Sequence, residues 1–294
     1  MIRKIELSEL ILNEDGSIYH LHLKPEHISD KIILVGDQGR VKLVASFFDN
    51  IEFEIQNREF FTITGTYRGK RVTVLSTGIG TDNIDIVINE LDALVNIDLE
   101  NRTVKKEHKT LTFVRIGTSG GLQDFVKVGT YLLTEKSIGL DGMLNFYADV
   151  LSITDKEFEE AFVSYLNWNK RLAIPYVVDI SQELLDKLYD SDNVTKGVTM
   201  AAPGFYGPQG RILRLPIIDP NVNSKIEKFE FKGYKITNYE MESSALYGLS
   251  RLLGHNAATI CLIIANRVNK TYLSDYKEKI KDLIKYTLDK LILK

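Results

Sequence analysis

Three short apolar runs, each followed at once by a glycine-bearing turn, constrain the fold of this chain more than any other feature. Each run and its turn together occupy residues 31–40, 71–80 and 111–121. Short, continuous apolar stretches are typical of strands that are buried on both faces of a parallel sheet. Helical patterns follow the first two turns, from Val41 and from Ile84 to Leu94. The sequence therefore predicts an α/β fold built from strand–turn–helix units.

The turns at the ends of these strands are candidate anion-binding sites. Backbone N–H groups at the start of a helix point at a bound anion, and the carboxyl ends of parallel strands meet at one edge of a sheet. Arg40 lies in the first turn and Arg115 directly precedes the third, where a glycine-rich turn is expected at residues 117–121. The spacings match neither a Walker loop nor the dinucleotide fingerprint. The first turn by itself is more typical of an ordinary strand-to-helix connection.

Two carboxylates stand where a late strand runs into a helix. Residues 237–240 are β-branched, polar and aromatic, and small and apolar residues continue at helical spacing from Ala245. In an extended chain, residues two apart point the same way, so Glu240 and Glu242 would face one pocket and Met241 the other side. Two interpretations remain open here: a ligand site, or acids that complement the dipole of a helix N-terminus.

A loop at residues 203–211 is too rich in glycine and proline for regular structure. It also carries Phe205, Gln209 and Arg211. Long loops with such side chains are more often functional than plain connections. We expect a binding loop, although simple surface decoration would give the same composition.

Composition excludes several classes of protein. The formal net charge of −3 provides no basic surface for nucleic acid. No apolar run reaches membrane-spanning length, and the first residues lack a signal-peptide core. The single cysteine, Cys261, lies in an apolar run, which predicts a buried, inert thiol and a cytoplasmic protein. The five histidines show no metal-ligand spacing, so no metal site is expected.

We expect one domain over residues 1–294, because no repeat, low-complexity tract or linker interrupts the chain. Residues 1–17 are predicted to be a polar N-terminal extension. Residues 95–109 mix both signs of charge and are predicted to be a surface insertion.

Taken together, the motifs resemble the nucleoside phosphorylase family, and within it the uridine phosphorylases. The resemblance runs from about His20 to the C-terminus. It rests on residues 20–21, 36–40, 57–60, 76–80, 115–118, 205–211 and 238–243. Each motif alone is weak, but their order along the chain is that of the family.

The resemblance implies both a fold and a reaction. The fold would be a single-domain, three-layer α/β/α arrangement with a central mixed, partly barrel-like twisted sheet flanked by helices. The reaction would be reversible phosphorolysis of uridine, with deoxyuridine or thymidine as further substrates, to uracil and a pentose 1-phosphate. Inorganic phosphate would be a co-substrate, and no cofactor is implied.

The resemblance also assigns roles to particular residues. Catalysis would depend on Arg115, Glu242 and Arg211. Phosphate would be bound by Gly36, Arg40, Arg58, Arg115 and Thr118. The ribose would contact His20, Glu240, Met241 and Glu242. The base would contact Phe205, Gln209, Arg211 and Tyr239. These residue types suit the chemistry, because guanidinium groups form planar forks for phosphate and an amide beside a guanidinium matches the edge of a pyrimidine dione.

In the family, the residues that match His20 and Arg58 reach into the active site of a neighbouring subunit. The resemblance therefore implies a homo-oligomer, at least a dimer, with a hexamer built as a trimer of dimers as the larger alternative. A monovalent cation near Glu59 is a further feature of some family members. The turn at residues 81–83 departs from the family pattern there.

Two alternatives to uridine cleavage remain. A purine nucleoside phosphorylase or a nucleosidase could use the same fold, although Asn266 replaces the aspartate that the purine branch carries, and nucleosidases generally lack the full set of phosphate arginines. A non-catalytic nucleoside-binding or storage protein is the other alternative. Retained charged residues at buried positions argue against it, because they cost stability.

Overall fold

A mixed sheet flanked by helices forms the body of the protein, which we describe from a computed structural model over residues 3–293. The elements of the first part of the chain are β1 (Lys31–Val35), α1 (Gln38–Ala45), β2 (Asn50–Asn57), β3 (Phe60–Tyr67), β4 (Lys70–Ser76), α2 (Thr81–Asn96), β5 (Ile97–Asp98), β6 (Thr103–Val104) and β7 (Thr112–Gly121). Those of the second part are β8 (Tyr131–Gly139), α3 (Lys156–Leu166), β9 (Tyr176–Asp179), α4 (Gln182–Leu188), β10 (Val194–Ala201), α5 (Val222–Lys228), β11 (Glu230–Phe231), β12 (Tyr234–Glu240), α6 (Ser243–Leu252), β13 (Asn256–Asn266), β14 (Thr271–Tyr272) and α7 (Tyr276–Leu293).

The sheet is partly closed on itself. Its strand order is β11-β12-β10-β8-β13-β7-β1-β4-β3-β2, and β12 also pairs with β7. That extra pairing joins Asn238 to Gly121 and Tyr239 to Gly120, so β7, β13, β8, β10 and β12 form a closed ring. Parallel and antiparallel pairs both occur, for example β1 with β4 and β3 with β4. The predicted mixed, partly barrel-like α/β fold is confirmed.

Helices cover the sheet because its strands are apolar on both faces. Ile32 to Val35 in β1 are fully buried, as a continuous apolar run requires. α2 and α6 pack on each other, and α6 also contacts β13 and β8. α7 packs against α4, α1 and β13. None of the helices in residues 3–293 combines the length and apolar character required to cross a membrane.

The carboxyl ends of β1 and β4 meet at one edge, as the sequence predicts, whereas β7 runs past them to Gly121. β1 pairs in parallel with both β4 and β7. Val35 lies beside Ser76, and Leu34 lies beside Arg115. The turns that follow β1 and β4 therefore flank the position from which the Arg115 side chain projects.

The prediction of a glycine-rich turn at residues 117–121 is wrong, because β7 continues as a strand through Gly121. The glycines serve close packing instead. A Cβ atom on Gly117 would lie 2.4 Å from Arg115 Nη1 and 2.9 Å from Cys261 Sγ. Gly117 therefore leaves the space that the Arg115 guanidinium fills.

Several elements do not follow from the sequence patterns. β2, β9 and α5 were not predicted, and α2 begins at Thr81 and continues to Asn96. The predicted surface insertion therefore begins inside a helix, where Val95 and Asn96 are buried. Its remainder forms the hairpin of β5 and β6, with Ile97 paired to Val104.

Candidate active site

Arg115 is the centre of the candidate site. It is 5% exposed, and its Nη2 donates to Glu242 Oε2 while Nη1 lies 3.5 Å from Glu240 Oε2. Burial disfavours the charged guanidinium, but the two carboxylates outweigh burial and raise the pKa of Arg115. The Nε and Nη1 donors are buried without a hydrogen-bond partner. A cation with two unused buried donors is suited to an anionic ligand.

Arg40 is the second cation at this position. Its side chain is 14% exposed; Nη2 lies 3.1 Å from Asp37 Oδ2 and Nη1 donates to the Ile116 carbonyl at 3.4 Å. Burial lowers its pKa, Asp37 counteracts this, and the charge of Arg115 lowers it further. Asp37 also caps α1, since its side chain accepts from Arg40 N–H at 2.9 Å. Two guanidinium groups that repel each other inside the protein favour a shared anion.

The two glutamates both contact Arg115, as their shared direction predicts, but their other partners differ. Glu242 Oε1 accepts from the Gly80 N–H at 2.9 Å, which ties it to the turn after β4. Glu240 accepts from the N–H groups of Glu242 and Ser243 and from the Ser243 hydroxyl. Glu240 therefore closes the N-terminus of α6, which confirms the helix N-terminus interpretation for this residue, and the ligand site stays a prediction.

Burial also changes the protonation of Glu240. It raises the pKa of Glu240 to about 7, against the opposing effect of Arg115 and with a further increase from Glu242. The neighbouring thiol behaves as the sequence predicts: Cys261 is buried, and burial raises its pKa to about 12.

The loop at residues 203–211, which we call the base loop after its predicted role, forms a second polar cluster. Gln209 is 3% exposed, and its Oε1 accepts from Arg211 Nη1 at 2.5 Å and from Arg267 Nη2 at 3.2 Å. The Arg211 guanidinium lies 3.7 Å from the centroid of the Phe205 ring. Burial, followed by repulsion from Arg267, lowers the pKa of Arg211 to about 10. With its oxygen occupied, the Gln209 amide has its N–H₂ left to offer to a ligand.

Arg267 is a site residue that the sequence analysis did not assign. It lies 5.0 Å from the centroid of the Tyr239 ring and donates to the Gln209 carbonyl. Tyr239 is almost fully buried, and its hydroxyl donates to Asn223 Oδ1 at 3.2 Å. The only feature of the sequence that could have indicated a role for Arg267 was its position directly after Asn266.

Asn266 does not face the base loop. Its Nδ2 donates to the carbonyls of Gln123 and Val126 at 2.8 and 2.6 Å, and its Oδ1 accepts from the Asn269 N–H. An ionised aspartate could not make the two donor contacts. An amide at this position is therefore required by the surrounding backbone.

His20 and Arg58 lie close to each other and are both at least partly exposed. Asn57 Nδ2 donates to the His20 carbonyl at 2.8 Å, and the Arg58 guanidinium lies 5.7 Å from the centroid of the Tyr19 ring. In residues 3–293, no hydrogen bond or ion pair joins His20 or Arg58 to the Arg115 cluster. Thr118 is half-buried on β7, and Met241 is half-buried between the two glutamates.

A cavity of about 1030 Å³ borders the other side of the base loop, at Gly207 and Pro208. Tyr239 and Met200 form part of its wall. Within the described part of the chain, its lining does not include Arg115. The cavity is therefore separate from the cluster of arginines and carboxylates.

Asp92, His108 and His255 are the one group of three candidate metal ligands within residues 3–293. The Leu111 N–H donates to His255 Nδ1 at 3.1 Å, so a neutral His255 carries its proton on Nε2, which lies 3.1 Å from Asp92 Oδ1. Both ring nitrogens of His255 are thus engaged. The group is explained as a hydrogen-bonded link between α2 and β13, without a metal.

The fold and the site together define a class: α/β proteins with a mixed, partly closed sheet and a buried arginine paired with two carboxylates. The chain belongs to the phosphorylase superfamily, since the family model matches residues 30–288.

Individual relatives carry two kinds of name. A uridine phosphorylase of Thermococcus kodakarensis is 27% identical over 280 residues, which covers 92% of this chain and 86% of the relative. A DeoD-type purine nucleoside phosphorylase of Listeria welshimeri is also 27% identical, over 83% of this chain and 85% of that protein. A solved nucleoside phosphorylase of Trypanosoma brucei, described as showing uridine phosphorylase activity, matches with a TM-score of 0.87 and 29% identity, over 97% of this chain and 100% of that one.

Proposed function

We propose that this chain is a uridine phosphorylase, a pentosyltransferase that converts uridine and inorganic phosphate to uracil and ribose 1-phosphate. The observation that carries the proposal is the buried Arg115, which faces two carboxylates and still has two unpartnered donors. The uridine phosphorylase names of the T. kodakarensis and T. brucei relatives support it. Deoxyuridine and thymidine are further candidate substrates.

Phosphate would lie between Arg40 and Arg115, with the Thr118 hydroxyl and the backbone near Gly36 as further donors. A phosphate oxygen attacks C1′ of the ribose while the bond from C1′ to N1 of uracil breaks. The electron pair of that bond leaves with the base. Positive charge that develops at the sugar is stabilised by phosphate and by Glu242, which would also accept from ribose hydroxyls. Glu240 would act through Glu242 rather than on the ribose, because backbone N–H groups occupy its oxygens.

Uracil must leave as a stabilised anion. Arg211, Arg267 and the N–H₂ of Gln209 would donate to its carbonyl oxygens, and Phe205 would cover the ring. Two guanidinium groups at the base favour a leaving group that becomes negative. Tyr239 would support this surface from behind Arg267.

We further propose a homo-oligomer in which His20 and Arg58 complete the site of a neighbouring subunit. Their shared surface, apart from the Arg115 cluster of the same chain, supports this arrangement. No cofactor is proposed. The monovalent cation near Glu59 stays a prediction, since a partner subunit would have to supply ligands beside that exposed carboxylate. We also infer a cytoplasmic location, which the single buried thiol supports.

The test is uridine cleavage, followed by ultraviolet absorbance with and without phosphate. We expect uracil release only with phosphate, and a loss of about a hundredfold in kcat/KM for Arg211→Ala, because one stabilising donor is removed. Arg214→Ala, an exposed position in the same loop, is the matched control and should keep its activity. Equal cleavage without phosphate would mean hydrolysis and would overturn the proposal.

Purine nucleoside phosphorolysis is the second candidate, because the purine-cleaving relative is as similar in identity as the uridine-cleaving one. Inosine, assayed in the same way, separates the two. Cleavage of inosine but not of uridine would assign the site to purines. Cleavage of neither would leave a nucleoside-binding protein.

A further inference from the structure

Glu90, in the middle of α2, holds the segment that carries His20. Its carboxylate accepts from the N–H of His20 at 3.1 Å and from the N–H of Leu21 at 2.9 Å. The same carboxylate lies 2.6 Å from His20 Nδ1. Its side chain is 13% exposed, so these contacts are only partly open to water. One carboxylate therefore fixes both the backbone and the ring of His20.

This contact determines which ring nitrogen of His20 remains available to a ligand. An ionised carboxylate can only accept, so Nδ1 carries the proton in the contact with Glu90. In the neutral ring Nε2 is then a bare acceptor. The His20 side chain is 32% exposed, which leaves the ring accessible.

Further contacts fix the backbone on both sides of His20. Leu21 is 1% exposed and anchors the segment in the core. Asn57 donates to the His20 carbonyl, and the Tyr19 ring meets the His20 ring edge to face, at 4.8 Å between centroids. His20 is therefore presented in one orientation beside Arg58.

We propose that Glu90 is a positioning residue for the reaction: it fixes the proton of His20 on Nδ1 so that Nε2 accepts a hydrogen bond from a ribose hydroxyl in the neighbouring subunit. The inference rests on the proposed function. The ligand group that it specifies is a hydroxyl donor on the sugar. A sugar without that hydroxyl would leave Nε2 without its partner.

Glu90→Gln is the variant that changes the position of the ring proton on His20 but keeps the hydrogen bonds to the backbone. The amide oxygen still accepts from backbone N–H groups, but its N–H₂ donates to Nδ1 and moves the ring proton to Nε2. We expect kcat/KM for uridine to fall about tenfold, the effect of one hydrogen bond. The loss should disappear for the deoxy or 5′-deoxy analogue that lacks the contacted hydroxyl. Glu100→Gln, at a glutamate in the hairpin of β5 and β6, is the control.

A double-mutant cycle tests whether Glu90 acts through His20. In the His20→Ala background, Glu90→Gln should change kcat/KM no further. A tenfold loss that persists in that background would show a purely structural role and overturn the inference.

Nitrogen-15 NMR of the five histidines shows which ring nitrogen carries the proton, independently of any catalytic assay. The His20 signal, assigned by its loss in His20→Ala, should show a proton on Nδ1 in the wild type and on Nε2 in Glu90→Gln. A wild-type ring with its proton on Nε2 overturns the inference even if uridine is cleaved. If the spectrum is as expected but no nucleoside is cleaved, the proposed function has failed and the role in catalysis falls with it.

Discussion

At the scale of single residues, Glu240 and Glu242 differ in the groups that their carboxylates accept from. Glu240 is enclosed by N–H groups of α6, by the Ser243 hydroxyl and by Arg115. Glu242 accepts from the Arg115 guanidinium and from the Gly80 N–H, so it joins β7 to the turn after β4. The enclosed carboxylate has a pKa raised to about 7 by burial, so its charge changes near neutral pH.

The raised pKa predicts opposite effects of pH on activity and on stability. Below about pH 7 Glu240 binds a proton, its support of Arg115 weakens, and kcat/KM should fall by up to about tenfold per pH unit. The folded state binds this proton more tightly than the unfolded chain, whose carboxyl has an ordinary pKa near 4.5. This group's contribution to stability is therefore present at low pH and is lost as the pH rises through about 7.

The measurement compares wild type with Glu240→Gln, which cannot titrate at this position. Dividing the kcat/KM of the wild type by that of the variant cancels the effect of phosphate ionisation, which both enzymes share. This ratio should rise with pH between about 6 and 8. The free energy of unfolding of the wild type relative to the variant should decrease as the pH rises from about 4.5 to about 7. A flat ratio of kcat/KM would contradict a titration of Glu240 that affects catalysis in this range.

At the scale of elements, the predicted N-terminal extension and the predicted surface insertion pack on each other. Lys4 forms a bridge with Thr103, and the Ile5 N–H donates to the Arg102 carbonyl at 2.8 Å. The buried Arg102 side chain donates to the carbonyls of Ile5, Glu6 and Leu10. The guanidinium of Arg102 thus joins the N-terminal segment to the hairpin of β5 and β6.

Arg102→Ala should release the N-terminal segment. Loss of these hydrogen bonds from a charged donor should lower the free energy of unfolding by about 1–3 kcal/mol. Limited proteolysis within residues 3–17 should become faster. Arg3→Ala is the matched control, because Arg3 pairs with Glu9 at the surface and its side chain is 79% exposed. Equal proteolysis of both variants would contradict the role of Arg102.

At the scale of the whole molecule, the Arg115 cluster and the pair of His20 and Arg58 have separate partners within the chain. His20 and Arg58 contact Asn57, Gln38 and Glu90, and within residues 3–293 no hydrogen bond or ion pair joins either of them to Arg115. Under the proposed function, a complete site therefore needs two chains.

Complementation between subunits tests this arrangement. Arg58→Ala and Arg211→Ala would each be nearly inactive, one in the donated part of the site and one in the receiving part. After mixing and reassembly, about a quarter of the sites would combine two intact halves, so activity should recover to about a quarter of the wild type. Each variant reassembled with itself is the control. No recovery, together with a monomer in sedimentation, would rule out a shared site.

The sequence alone determined the strand–turn–helix order, the edge where the turns meet, and the shared direction of Glu240 and Glu242. These features follow from local periodicity, because a buried strand needs a continuous apolar run and alternate residues of a strand point the same way. The base loop was found from its composition. Much of the residue assignment rested on resemblance to a family rather than on local physics.

Only the tertiary structure decided how these parts meet. The closure of β12 on β7, the space that Gly117 leaves for Arg115, and the approach of Arg267 to Gln209 join residues far apart in the chain. Local patterns carry no information on such contacts, which is also why residues 117–121 gave the appearance of a turn. The Glu90 contact with His20 spans 70 residues and depends on the packing of α2, so no local signal specifies it.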